Sequence, residues 1–219
     1  MPDYEPIEYD VAGPSDVDQI VHLVATAFST SEPLARAVGL SVAEMQTFLR
    51  PLMSTAMAQG LTIVAHRASS GDLAGALLND DFASPLPVDP SQLNPKYLPI
   101  IALLESLEEH QRFARDIAPG ECLHLFMLAV DERFKGLGVG RGLVKATLEH
   151  GARKRYRTAV TEATASASQH IFRTLGFAER FSISYPEFRY DGKAVFASIR
   201  DPSSAILMEK PLSWDHHPS

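Results

Sequence analysis

Glycines at 136, 138 and 140 lie between an apolar run ending in Ala129-Val130 and an apolar-periodic stretch through Leu143, Val144 and Leu148. That order reads as a strand, a glycine loop and the start of a helix. Glycines let backbone N–H groups crowd against an anion with no Cβ in the way. The first turn of the following helix adds unpaired donors and the positive end of its dipole. The chemistry such a segment supports is the holding of a phosphate-bearing cofactor. Spacing excludes two such loops. A dinucleotide fingerprint needs glycines at i, i+2 and i+5, and the frames starting at Gly136 and Gly138 end on Arg141 and Leu143. A P-loop closes on Gly-Lys-Ser/Thr, a tripeptide this chain lacks.

Lys135-Gly136-Leu137-Gly138-Val139-Gly140, preceded by Leu128-Ala129-Val130, resembles the acetyl-CoA loop of the GNAT N-acetyltransferases. That loop is usually written Arg/Gln-x-x-Gly-x-Gly/Ala, with Lys135 here in the first position. The resemblance continues through Thr158 to Ala163 as a strand, Ser166 to Leu175 as a helix, and the Gly176-Phe177 turn. FRYDGKAVFASIRDPSSAILMEKPL is similar to the C-terminal strands of the insect dopamine/arylalkylamine N-acetyltransferases. Phe28-Ser-Thr-Ser-Glu32-Pro33-Leu34 resembles their Phe-x-x-x-Glu-Pro-Leu. Four separated segments agree in order, from about Tyr9 to Leu212.

The resemblance implies a mixed α/β GNAT fold, a central, mostly antiparallel sheet splayed at the cofactor strand and flanked by helices. It implies one domain over 1–212, with 79–117 as a loop and helix over the substrate side and 213–219 as a disordered tail. Acetyl-CoA is the implied cosubstrate. Leu128, Ala129 and Val130 would meet its pantetheine arm. Lys135, Gly136, Gly138, Val139, Gly140 and Arg141 would meet its pyrophosphate, with Ser168 and Phe172 along the arm. The implied activity is acetyl transfer to a small primary amine of arylalkylamine or polyamine type. The alternatives are transfer to a peptide or protein amine, and a GNAT module that binds acetyl-CoA without turnover.

An alkylamine with a pKa near 10.4 arrives protonated, so a base must take its proton. Glu32 is the leading candidate, matching the glutamate assigned as base in the insect enzymes; without that resemblance it reads as a helix-start glutamate favouring the dipole. His124 is the second candidate, because vertebrate arylalkylamine acetyltransferases carry His-x-His there and this chain keeps His124-Leu125-Phe126. Glu162, inside a strand, is a third. Many GNAT enzymes place a tyrosine acid where Phe172 stands, so that acid is absent. Ser168, Thr164 and Ser166 offer hydroxyls nearby.

The remaining sequence frames these residues. With 219 residues and 45% apolar content the chain suits one packed domain. The net charge of -7 argues against a nucleic-acid surface and favours cationic amines. No stretch of 18 uncharged apolar residues exists, so no membrane-spanning helix is expected. The start MPDYEPIEYD lacks the features of a signal peptide, and the single Cys122 makes no intrachain disulfide, so a cytoplasmic protein is expected, as a monomer or homodimer. No metal site is expected; the His216-His217 pair reads as solvated tail.

Ile7 to Val11 suits a first strand, and Ser15 with Asp18 resembles a capping box opening a helix through Ile20, Val21, Val24 and Phe28. Pro33 restarts the chain as a second helix, and Ser41 caps a third. Leu61 to Ala65 and Leu73 to Leu78 flank a hairpin signal. Asn79 to Pro95, with four prolines, reads as a long loop before a helix through Leu103 and Leu107.

Overall fold

The structure, a computed structural model, describes residues 6–89, 93–114 and 116–213, with backbone alone over 110–114. The His216-His217 pair therefore lies outside the described residues. Among the described residues seven strands form one sheet: β1 (Ile7–Val11), β2 (Ile63–Arg67), β3 (Leu73–Asp81), β4 (Cys122–Val130), β5 (Thr158–Ala163), β6 (Ala178–Ser184) and β7 (Ser204–Pro211), in the order β1-β2-β3-β4-β5-β7-β6. Every neighbouring pair is antiparallel except β4–β5. That is the expected mixed α/β fold.

Among the described residues six α-helices cover the sheet: α1 (Val17–Ser31), α2 (Pro33–Ala37), α3 (Val42–Gln59), α4 (Leu98–Ala114), α5 (Val139–Arg153) and α6 (Ser166–Thr174). On one face α1 and α3 bury Ile20, Val24 and Leu49 against Val64, Ala76 and Leu78. Leu103 and Leu107 of α4 cover Val160 and Leu207 on that same face. On the other face Leu143 and Val144 of α5 and Phe172 of α6 pack on Ile63, Leu77 and Leu125. Gly75 lets α5 come this close: a Cβ there would stand 2.9 Å from Leu143 Cδ1 and 3.0 Å from the Ala129 carbonyl.

Three boundaries differ from the sequence reading. The first helix has Asp16 at its N-cap with no side-chain cap hydrogen bond, in place of the expected Ser15–Asp18 box. The Asp16 Oδ2 instead accepts the Gly13 N–H at 2.8 Å across the short 3-10 turn that precedes the helix. The loop expected from Asn79 begins three residues later, because Asn79, Asp80 and Asp81 extend β3 opposite Leu125, His124 and Leu123. A polar run can be buried in a strand when its hydrogen bonds are met. Asn79 Nδ2 donates to the Leu61 carbonyl at 2.8 Å, and Asp81 accepts from the backbone N–H groups of Ala83 and Gly120. Finally, only Ser204–Pro211 of the FRYDGKAV… segment is a strand; its partner β6 precedes that segment, and 185–203 run as turns.

Candidate active site

The β4–β5 ladder is short. It pairs Cys122 with Thr158, Leu123 with Ala159 and His124 with Val160, and then stops. β4 runs on to Val130 and β5 to Ala163, so the strands part. Thr161 spans the first step of the gap with its side chain, donating to the Leu125 carbonyl at 2.9 Å. β4 also bulges at Phe126, where its register with β3 jumps from Leu78↔Met127 to Asn79↔Leu125. Phe126 and Met127 therefore both turn toward the α1–α3 core, while Leu128 and Val130 face α5. Splay and bulge leave backbone groups of β4 without a strand partner on the β5 side.

At the far end of β4 the glycine loop leads into α5. Gly136 (φ 77) and Gly138 (φ 81) are left-handed, a conformation that disfavours any side chain. Gly138 is the N-cap of α5, so the N–H groups of Val139, Gly140 and Arg141 have no intrahelical acceptor. Gly140 is buried, and a Cβ there would press to 3.2 Å from Ile171. Bare donors, a helix dipole and a cradle without side chains suit a pyrophosphate. Lys135 is exposed and pairs with Glu132, its Nζ lying 3.5 Å from Ser31 Oγ. Arg141 is exposed at the helix start.

Glu32 links α1 to α2. Its backbone N–H reaches Phe28 O at 3.1 Å, ending one helix, and its Oε2 accepts the Ala35 N–H at 2.6 Å, capping the next. Pro33 then supplies the fixed φ of a first helical residue. The other carboxylate oxygen, Oε1, accepts the Thr164 hydroxyl at 2.8 Å. Thr164 follows the last residue of β5, and its carbonyl accepts the Tyr185 hydroxyl at 2.6 Å. Burial raises the Glu32 pKa, against the lowering effect of hydrogen bonds from Ala35, Leu34 and Thr164. The helix-start reading of Glu32 holds, since its carboxylate caps α2; the same carboxylate also stands beside Thr164 at the end of β5.

His124 occupies a separate cluster. Its Nδ1 lies 2.8 Å from Asp80 Oδ1 and its Nε2 2.8 Å from Glu162 Oε2. Burial alone would lower the imidazole pKa, but Glu162 and Asp80 on its two sides hold it well above the ordinary value. Both ring nitrogens of His124 are thus engaged by carboxyl groups, which leaves neither open to an incoming amine. Asp80 is itself fixed by the Leu86 N–H at 2.8 Å. Sequence reasoning missed Asp80 because it read the residue as loop, and missed Tyr185 because nothing in its neighbourhood marks a site.

Two of the expected cofactor contacts have partners within the protein. Phe172 is 2% exposed and packs edge-on to Phe177 in the core beneath α6, with ring centroids 5.0 Å apart. The Ser168 hydroxyl donates to the Ala165 carbonyl at 2.8 Å and receives the Ala165 N–H, so it is engaged in the helix start. Ser166 likewise pairs with Asp201 at 2.6 Å.

Residues 99–177 match the sequence profile of the acetyltransferase (GNAT) family, across the splayed strand, the glycine loop and α6. The chain has the GNAT fold. It superposes on the C-terminal condensation domain of Ebony in complex with beta-alanyl-dopamine with a TM-score of 0.87 at 17% identity, covering 94% of this chain and 99% of that one. With arylalkylamine N-acetyltransferase 2 from Aedes aegypti the TM-score is 0.77 at 22% identity, covering 94% and 99%. With the Drosophila melanogaster polyamine N-acetyltransferase it is 0.70 at 19%, covering 94% and 100%. At these identities the likeness is one of fold.

Proposed function

We propose that this chain transfers the acetyl group of acetyl-CoA to the primary amine of a small molecule. The observation that carries the reading is the Thr164–Glu32 hydrogen bond at the rim of the splay. Acetyl-CoA supplies a thioester carbonyl, which the amine nitrogen attacks. Backbone N–H groups left free on β4 at Leu128 and Val130 face the arm and meet the negative charge that develops on the carbonyl oxygen. Glu32 takes the amine's proton, directly or through the Thr164 hydroxyl, which can hand its own proton to Oε1 as it accepts the next. Its raised pKa brings the carboxylate nearer to the value a base needs at neutral pH. The C–N bond forms, the C–S bond breaks, and CoA leaves as thiolate. A thiol pKa of about 8.5 permits that without a strong acid, consistent with phenylalanine at 172.

A second reading concerns the acyl group. The TM-score of 0.87 to a condensation domain bound to an aminoacyl amide favours a donor larger than acetyl. Release of CoA from acetyl-CoA and from beta-alanyl-CoA, with a panel of monoamines, polyamines and peptides, tests both. Turnover of acetyl-CoA with a small amine supports the main reading. Turnover of beta-alanyl-CoA alone supports the second. CoA binding with no release for any acceptor would make the chain a non-catalytic acetyl-CoA-binding module.

A further inference from the structure

We propose that Glu162 selects acceptors that carry a second positive charge, so that the preferred substrates are diamines or guanidinoalkylamines and not arylalkyl monoamines. The inference rests on the acetyltransferase reading above and names the acceptor class.

Glu162 Oε2 is occupied by His124, but Oε1 has no hydrogen-bond partner although it is buried, and the side chain is only 5% exposed. A buried carboxylate oxygen without a donor is costly and marks a place where a partner belongs. Charge gives the same answer. Asp80, His124 and Glu162 bring two carboxylates around one imidazole ring, which can cancel only one of them. Phe82 and Phe126 flank this acid-rich cluster, their rings 5.9 and 5.6 Å from the His124 ring. A cation at Oε1 would satisfy the orphaned oxygen and meet two carboxyl groups with aromatic rings close by.

Position ties this to the reaction. Glu162 and Thr164 are two residues apart on one side of β5, about 7 Å along the strand. Thr164 bonds Glu32 at the end where the reacting nitrogen loses its proton. An acceptor reaching from that hydroxyl to Glu162 needs its two nitrogens separated by about the length of a four-carbon spacer. An aromatic ring in that place would leave Oε1 unpaired. Asp80 and His124 act as positioning residues, since they fix which carboxylate oxygen stays free.

The test compares kcat/KM for 1,4-diaminobutane, agmatine, butylamine and tyramine in the wild type, Glu162→Gln and Glu162→Asp. The wild type should favour the dications by tenfold or more. Glu162→Gln should lower the ratio of 1,4-diaminobutane to butylamine at least tenfold, through KM. Glu162→Asp, which keeps the charge and withdraws it by one methylene, should restore much of the preference and move it toward longer diamines. Thermal shift of the CoA-bound protein by 1,4-diaminobutane gives a readout apart from turnover and should vanish in Glu162→Gln. A wild type that favours monoamines, or a ratio unmoved by Glu162→Gln, overturns the proposal while leaving acetyl transfer standing. An absence of CoA release with every amine overturns the underlying acetyltransferase reading instead.

Discussion

The Thr164 hydroxyl donates to Glu32 Oε1 over 2.8 Å, joining residues 132 apart in sequence. One sits where α1 hands over to α2, the other where β5 ends beside the splay. The same carboxylate caps α2 through Ala35, so its position is fixed from both sides. In the proposed reaction a carboxylate held this firmly needs no rearrangement when the amine arrives.

The glycine loop predicts a ligand-dependent stability. Acetyl-CoA at 100-fold its dissociation constant should add about 2.7 kcal/mol, raising Tm by roughly 5–10 °C in a domain of this size. Gly138→Glu should abolish the shift by placing a negative charge at the N-cap of α5. Gly138→Ala shares the strain of φ 81 without the charge, and should retain part of the shift. Equal loss in both variants would assign the effect to strain alone.

Gly75→Ala tests the seating of α5. The added methyl meets Leu143, Val139 and the Ala129 carbonyl at 2.9–3.1 Å, and overpacking of this kind costs about 1–3 kcal/mol. Urea denaturation should show that loss, and the acetyl-CoA Kd should rise as the loop helix is displaced. An unchanged midpoint would mean that α5 shifts freely.

His124→Gln removes the charge between two buried carboxylates, and breaking a buried pair costs about 3–5 kcal/mol. A histidine whose folded pKa is raised contributes stability that is complete below its unfolded value of about 6.5 and is lost as pH rises through the folded value. The gap in stability between wild type and variant should therefore be widest in mild acid and narrow on the alkaline side. A gap that widens with pH would show a neutral ring. Where the variant folds, its kcat should fall far less than that of a Glu32 variant.

Much of this was legible in the sequence where local pattern sufficed. The apolar run to Val130 and the glycines after it define β4, its loop and α5 without help from other elements, and Ser41 announces the start of α3, where the structure adds Glu44 to complete a capping box. The β3 extension was not legible, because Asn79-Asp80-Asp81 carries the composition of a loop and becomes a strand only through partners elsewhere. The setting of His124 was hidden for the same reason. Asp80 is 44 residues away and Glu162 is 38, and no local signal couples them. Phe172 matched a family position, yet its role here is set by packing against Phe177.

Glu32 carries a cost in stability. Its folded pKa is raised, so the folded state holds the proton more tightly than the unfolded chain does. The penalty is absent below the unfolded value of about 4.3 and appears as pH rises through the folded value. Glu32→Gln can still accept the Ala35 N–H and sheds the charge, so at pH 7 its Tm should equal or exceed that of the wild type, with no gain near pH 4. A loss at pH 7 would mean that the carboxylate's hydrogen bonds outweigh its desolvation.

The most direct test of the account is kcat for acetyl transfer by Glu32→Gln across pH, with acetyl-CoA binding measured in parallel. Loss of a general base lowers kcat by roughly 10²–10⁴ near neutral pH. The deficit should shrink as pH approaches the amine pKa of about 10.4 and free amine becomes available, while acetyl-CoA affinity barely changes. A Glu32→Gln enzyme that stays active across the range, beside a crippled His124→Gln that still folds, would contradict the account and move the base to His124.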